Sequence, residues 1–284
     1  MAELLRGAPV AASLTEELSY RTRALRSRGV EPTLAIVRVG ERSDDLAYER
    51  GTLKRAERVG LTVQRVFLPA DCAQEDLIAA IERVNADASV HGCLMFSPLP
   101  PHLDEAAARA TLNASKDVDG ITPGSLFGLY AREAVGFAPC TAEAVVELLE
   151  RSGVALEGSR VCVVGRSLVI GRPVSLMLQD RNATVTMCHT RTRNLAEECR
   201  RADVLVVAAG HAGTIGADCV SSGQVVVDVG INWDDKAGRL GGDVAFEEVE
   251  PLVRAITPVP GGVGAVTTAV LAKHVVEAAE RASA

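Results

Sequence analysis

The fold class this 284-residue sequence predicts is α/β, in two lobes, and three observations carry that prediction. Short β-branched apolar runs alternate with segments of helical length and periodicity, the pattern of a parallel sheet covered by helices. The alternation gives way to a polar loop at Lys116–Gly120 and the segment Phe137-Ala-Pro-Cys-Thr141, then resumes. Hydrophobic residues make up 48% of the chain, enough at this length to fill one large or two ordinary cores.

In the first half the pattern predicts a helix over 11–28, a strand Thr33–Val39, a helix over 43–59, a strand Leu61–Leu68, a helix over 73–86 and a strand Gly92–Phe96. Ser97-Pro-Leu-Pro-Pro-His102 ends that strand, because proline cannot donate a ladder hydrogen bond. A helix from Ala142 to Arg151 then connects the lobes. The second half predicts a strand Arg160–Val164, a helix over 170–181, a strand Ala183–Cys188, a helix over 193–201 and strands Val204–Ala208 and Gln224–Val229. Thr257-Pro-Val-Pro-Gly-Gly-Val-Gly264 is too rich in proline and glycine for regular structure and precedes a last helix over 265–282.

A net charge of −7 and a pI near 5.4 argue against a broad nucleic-acid surface and leave small molecules as the expected partners. The seven cysteines are scattered, with no C-x-x-C pair, and the five histidines form no His-x-x-x-His set, so no metal site is expected and the thiols read as reduced. No uncharged apolar run of 18 residues occurs and the first residues carry no signal-peptide core, so a soluble, cytoplasmic protein with no membrane association is expected.

The chemistry-bearing stretch is Val161–Pro173. A β-branched strand meets Gly165, followed by Arg166-Ser167, Gly171-Arg172 and material that can start a helix. Glycine allows a turn without a Cβ clash, and the helix start turns free N–H groups towards a phosphate. The Gly-x5-Gly spacing is looser than the three-glycine dinucleotide fingerprint. In a dinucleotide fold, the end of the second strand distinguishes a ribose 2′-hydroxyl, bound by an acid, from a 2′-phosphate, bound by a base. That strand ends Cys188-His-Thr-Arg-Thr192, where Thr190 and Arg191 stand and no carboxylate does, which favours NADP over NAD.

Together, Tyr48, Pro98-Leu-Pro100, Lys116–Gly120, Pro139-Cys-Thr141, Gly165-Arg-Ser167, Gly171-Arg-Pro173, Asp228–Asn232, Gly242-Asp-Val244 and Thr257–Gly264 give a chain that resembles the bifunctional methylenetetrahydrofolate dehydrogenase/methenyltetrahydrofolate cyclohydrolase family from nearly end to end. The resemblance implies a catalytic lobe of residues 1–141 with 265–284, an NADP-binding Rossmann lobe of 142–264, a folate cleft between them and a homodimer. It implies NADP-dependent oxidation of 5,10-methylenetetrahydrofolate to the methenyl form, which most members then hydrolyse to 10-formyltetrahydrofolate. It sets Tyr48 as the aromatic stacked on folate and Asp119 as the carboxylate gripping the pterin. Phe96, Pro98, Leu99, Gly261 and Gly262 join them at the substrate. Gly165, Arg166, Ser167, Gly171, Arg172, Thr190, Arg191, Ile231 and Thr267 are set at the cofactor.

The departures bear on mechanism. Thr52 stands four residues after Tyr48, where the family usually has lysine; Phe96 stands where it has glutamine, and Asp45 where serine is common. Arg55 is the nearer charged neighbour by helical repeat, yet it cannot act as a neutral base. Hydride transfer needs positioning, whereas hydrolysis needs general acid–base help, so dehydrogenase activity is expected and cyclohydrolase activity is expected to be weak or absent. The alternatives are the full bifunctional activity, and a non-catalytic folate- or nucleotide-binding protein.

Overall fold

The computed structural model describes residues 1–234 and 238–283. They form two compact units: Ser13–Cys140 with Thr268–Ala284, and Met1–Ala12 with Thr141–Thr267. The chain enters through strand β1 (Glu3–Leu4) and helix α1 (Gly7–Ser27), and α1 passes from one unit into the other.

The unit containing Ser13–Cys140 is built on β2 (Thr33–Val39), α2 (Ser43–Val59), β3 (Thr62–Leu68), α3 (Gln74–Ala86) and β4 (Gly92–Met95). The strands are parallel in the order β3-β2-β4, so β2 is central and all seven of its residues are buried. Leu34, Ala35, Ile36 and Val37 answer that demand with β-branched and aliphatic side chains. Arg38 does not, and a charge in the middle strand needs a partner. Its Nε donates to Glu49 Oε2 at 3.1 Å, another of its nitrogens reaches the Gly40 carbonyl, and its guanidinium lies 4.1 Å from the Phe67 ring centre. Helix α2 stops at Gly60, whose left-handed φ of 86° lets its N–H close on the Ala56 carbonyl.

Helices α4 (Glu105–Thr111) and α5 (Pro123–Ala131) follow, both short and outside the predicted elements. Local capping starts them: Asp104 accepts from the Ala107 N–H at 3.0 Å, and Thr122 accepts from the Ser125 N–H ahead of Pro123.

The other unit takes α6 (Cys140–Arg151), β5 (Arg160–Val164), α7 (Gly171–Gln179), β6 (Thr184–Cys188), α8 (Leu195–Arg200), β7 (Val204–Val207), β8 (Val225–Asp228), the hairpin β9 (Asn232–Asp234) and β10 (Arg239–Gly241), α9 (Phe246–Val249) and β11 (Ala255–Ile256). Helix α10 (Gly264–Ala282) carries the chain back into the first unit. The sheet is parallel throughout, in the order β1-β11-β8-β7-β5-β6. Strand β6 lies on one side of β5 and β7 on the other, so a topological switch point falls at the ends of β5 and β7.

The structure differs from the sequence expectation in the first twelve residues, which cluster with the Rossmann-type unit because β1 pairs with β11. Two-residue strands carry too little pattern to be seen in sequence. Cys162 and Cys188 are buried neighbours with sulfurs 3.7 Å apart, both packed as small core residues.

Candidate active site and cofactor turn

At the switch point, Gly165 has φ +132°, and a Cβ there would stand 2.2 Å from the Ala208 carbonyl oxygen at the end of β7. A Cβ on Gly171 would stand 2.2 Å from the Gly165 carbonyl. The two glycines therefore pack backbone to backbone, and this explains a spacing that looks loose in sequence: five residues loop out and return to start α7. Ser167 ties that loop, its Oγ accepting from the Ile170 N–H at 3.1 Å and its carbonyl from the Arg172 N–H at 3.1 Å.

Beyond β6 the Cys188–Thr192 turn is pinned by its backbone: His189 N–H donates to Thr192 Oγ1 at 2.8 Å and Arg191 N–H to His189 Nδ1 at 3.1 Å. This leaves the Thr190 and Arg191 side chains exposed, with Arg166 and Arg172 exposed beside the glycine turn. Among the described residues none of these three arginines pairs with a carboxylate, and the turn itself holds no acid. A cradle shut to any Cβ, a helix start and three unspent guanidinium groups suit a dinucleotide carrying an extra phosphate. Gly165, Ser167 and Gly171 would shape its seat, while Arg166, Arg172 and Arg191 would hold its phosphates.

Ile231 is exposed and, with Gly261 and Gly262, lines a pocket of about 290 Å³ over Asp228 in this unit. Thr267 is buried in the first turn of α10, its hydroxyl 3.4 Å from the Val263 carbonyl. Part of the demand for glycine here is internal packing: Gly7 N–H donates to the Gly261 carbonyl at 2.8 Å, and a Cβ on Gly262 would meet the Pro258 carbonyl at 2.8 Å. Two buried carboxylates hold the surrounding loops. Asp228 accepts from the N–H groups of Gly230, Asp243 and Val244 at 2.9, 3.0 and 2.9 Å. Asp243 accepts from Ala209 and Gly210 N–H and Asn232 Nδ2 at 2.7, 2.8 and 2.8 Å. Burial pushes Asp228 up to about 6 despite those donors.

In the first unit, Tyr48, Phe96 and Asp119 come together. Phe96 follows β4 and stays in the ladder through its N–H to the Val37 carbonyl at 3.1 Å; its ring meets Tyr48 edge to face, with centroids 5.8 Å apart. Burial, then the nearby Asp119 charge, raises Tyr48 well above its ordinary value, so it stays a neutral phenol. Pro98 is exposed, with its carbonyl accepting from Arg42 Nη1 at 2.9 Å. Leu99 instead enters the core, and its N–H donates to Glu105 Oε2 at 2.9 Å.

The two aspartates of Lys116–Gly120 divide their work. Asp117 is the turn former: fully buried, it accepts from the Ile121 and Thr122 N–H groups and from Ser125 Oγ at 3.1, 2.7 and 2.6 Å. Lys116 caps α3, its Nζ donating to the Val84 and Asp87 carbonyls at 2.8 and 2.6 Å. Asp119, the second of them, is half-buried. Burial, followed by the Asp117 charge, pushes it up to about 7, opposed by hydrogen bonding from Cys140 and by the His274 and Arg109 charges. The segments meet closely, because a Cβ on Gly120 would stand 2.5 Å from Pro139 N.

Thr52 lies on the buried stripe of α2 with Asp45 and Glu49. It is 2% exposed and its hydroxyl has no hydrogen-bond partner among the described residues. Burial raises Asp45 above the usual carboxylate range, against the pull of Arg42 and Arg38. Arg55 points elsewhere, bonding Thr15 Oγ1 and, at 3.4 Å, Thr268 Oγ1. Sequence reading missed the Arg38–Glu49 pair, although an arginine inside an otherwise apolar strand is its signal. It also missed the contact of Cys140 and His274 beside Asp119, which no spacing encodes. Among the described residues no cluster fit to hold a metal ion occurs, and no helix is long and apolar enough to cross a membrane.

Residues 5–119 match the model of the tetrahydrofolate dehydrogenase/cyclohydrolase catalytic domain, and residues 139–283 match that family's NAD(P)-binding domain. The chain is 50% identical over 281 residues to the bifunctional protein FolD of Carboxydothermus hydrogenoformans, covering 99% of this chain and 98% of that one. It is 47% identical to its counterpart in Clostridioides difficile, covering 97% and 96%. The crystal structure of the bifunctional FolD methylenetetrahydrofolate dehydrogenase/cyclohydrolase from Campylobacter jejuni superposes with a TM-score of 0.95 at 38% identity and 99% coverage of both chains. That of the Trypanosoma brucei enzyme, complexed with NADP cofactor and inhibitor, superposes with a TM-score of 0.91 at 36% identity, covering 99% and 98%. This chain belongs to the tetrahydrofolate dehydrogenase/cyclohydrolase family.

Proposed function

We propose that the chain oxidises 5,10-methylenetetrahydrofolate to 5,10-methenyltetrahydrofolate with NADP⁺, and that it hydrolyses the product slowly or not at all. The observation that carries the second half is the buried Thr52, a hydroxyl with no partner among the described residues at the position where the resemblance sets a lysine. Its basic neighbours on α2 and β2 do not replace it: Arg38 is spent on Glu49 and Phe67, Arg55 on Thr15 and Thr268, and Lys54 is exposed. Guanidinium groups stay protonated and cannot serve as bases at neutral pH.

What remains suits oxidation. Tyr48 offers an aromatic face and a phenol that stays protonated, and Phe96 holds that ring edge-on. Asp119 in its ionised form accepts hydrogen bonds from the N–H groups of a pterin. Bound NADP⁺ supplies the hydride acceptor, and Arg191 holds its 2′-phosphate. Arg191→Ala is expected to raise KM for NADP⁺ by about tenfold or more with kcat little changed, since a bidentate phosphate contact is uniform binding. Equal loss for NADP⁺ and NAD⁺ would contradict the assignment.

One observation favours full bifunctional activity: a carboxyl near 7 is present in both protonation states at neutral pH and can move protons. Following NADPH formation at 340 nm separately from methenyl-folate decay decides between the readings. We expect NADPH to form while added methenyl-folate decays at its uncatalysed rate; rapid enzymatic decay would establish the bifunctional reading.

A further inference from the structure

Helix α2, which carries Tyr48, rests on a buried charge. Ala35, Val37 and Val39 of β2 join the core cluster with Leu77 and Ile81 of α3, so the alternation of a strand sends Ile36 and Arg38 to the opposite face of the sheet. There Arg38 Nε donates to Glu49 Oε2 of α2 at 3.1 Å, the two side chains being 5% and 8% exposed. The same guanidinium reaches the Gly40 carbonyl just past the end of β2 and lies 4.1 Å from the ring centre of Phe67, its register partner on β3. Arg65, two residues before Phe67, brings Nε to 3.7 Å from Glu49 Oε1. On the other flank of α2, Tyr48 meets Phe96 just beyond β4, with centroids 5.8 Å apart. The strand order β3-β2-β4 therefore sets a directed charge contact on one side of the helix and a ring contact on the other.

A buried ion pair stabilises a fold little, because desolvation offsets the attraction, and an apolar pair of like volume does as well or better. What it adds is direction. Leucine against leucine accepts many relative rotations, whereas an N–H···O bond weakens steeply as its angle falls away. Glu49 and Tyr48 are adjacent on α2, about 100° apart around the axis, so a bond that fixes the bearing of one fixes that of the other. A roll of about 10° would carry a ring about 5–6 Å from the axis through about 1 Å, and a misplacement of that size costs up to about a hundredfold in rate. We propose that Arg38 and Glu49 are positioning residues for Tyr48, their buried ion pair fixing the roll of α2 so that the phenol ring stands where the folate substrate stacks. The proposal rests on the reading of Tyr48 as the aromatic stacked on folate.

Two measurements on the full chain test this: unfolding in denaturant, and steady-state kinetics with methylenetetrahydrofolate and NADP⁺ varied in turn. Arg38→Leu and Glu49→Leu each strand a buried charge and are expected to unfold at lower denaturant than the parent. The double variant Arg38→Leu/Glu49→Leu removes both charges and is expected to recover the parent's unfolding midpoint. Its kcat/KM for methylenetetrahydrofolate is nevertheless expected to stay about tenfold below the parent, with KM for NADP⁺ within about twofold. Glu49→Gln, which keeps an acceptor for Arg38 Nε, is expected to retain kcat/KM for the folate within about threefold. Should the leucine variants not fold, Arg38→Lys replaces them: its ammonium keeps the charge and loses the fork that joins Glu49 to Gly40. In it kcat/KM for the folate is expected to fall about threefold or more with KM for NADP⁺ unmoved. Parent stability together with parent kcat/KM in the double variant, a loss shared equally by the folate and NADP⁺ parameters, or parent kinetics in Arg38→Lys would overturn the proposal and leave the pair a core contact. Unchanged folate kinetics in Tyr48→Ala would instead remove the reading of Tyr48, and the proposal with it.

Discussion

Asp119→Asn is expected to lower kcat/KM for the folate substrate by about 10²-fold or more, because a carboxylate accepting charge-assisted hydrogen bonds is replaced by an amide that presents one acceptor and one donor. Steady-state kinetics at about pH 8, where the parent carboxyl is ionised, reads this directly; a loss below about threefold would remove Asp119 from the site. The same substitution is expected to stabilise the fold. Asp119 is raised to about 7 in the folded chain from an ordinary 3.8, so its contribution is fully present below about pH 4 and is lost as pH rises through about 7. The variant should therefore melt above the parent at pH 8, by about 2 kcal/mol after allowance for partial exposure, and near it at pH 4. Thermal unfolding at both pH values checks the sign. The cause is local: burial raises Asp119 first, and the charge of Asp117, itself spent on the turn, adds to it.

Gly165→Ala carries the other large effect. The new methyl would lie 2.2 Å from the Ala208 carbonyl, at a φ of +132° that L side chains rarely adopt. Neither strand end can retreat, since β5 and β7 are adjacent in the sheet through Val161–Val164 and Val204–Val207. We expect destabilisation of about 3 kcal/mol or more and at least tenfold weaker NADP⁺ binding in whatever folds. Denaturant unfolding and NADP⁺ titration measure the two separately. A variant matching the parent in both would show that the turn has slack that the backbone contacts deny. Gly171→Ala is the natural companion, because its methyl would strike the Gly165 carbonyl itself.

Much of this was legible in the chain. The β-branched runs at Thr33–Val39, Arg160–Val164 and Val204–Val207 announced parallel strands because a strand buried on both faces has no polar face to alternate with. The absence of an acid after Cys188 was a charge statement that needed no fold beyond the strand it ends. Tyr48 and Thr52 could be set on one helical face by spacing alone. What the chain did not disclose depends on long-range approach. Glu3–Leu4 is a strand only because it finds Ala255–Ile256 near the opposite end of the sequence, and Ala255–Ile256 in turn pairs with Val225–Val226. Leu99, one residue from an exposed proline, enters the core because the Glu105 side chain takes its N–H.

The sequence by itself determined the α/β class, the order of the principal strands and helices and the family motifs, since these follow from residue type and local period. Only the tertiary structure decided that Gly165 and Gly171 need each other, that Asp117 is structural while Asp119 is left to titrate near 7, and that His274 comes from 156 residues away to share the Val118 carbonyl with Cys140. The physical reason is the same in each case. Steric exclusion, desolvation and hydrogen bonding between distant segments depend on distances across the fold, and those distances exist only once the chain has packed.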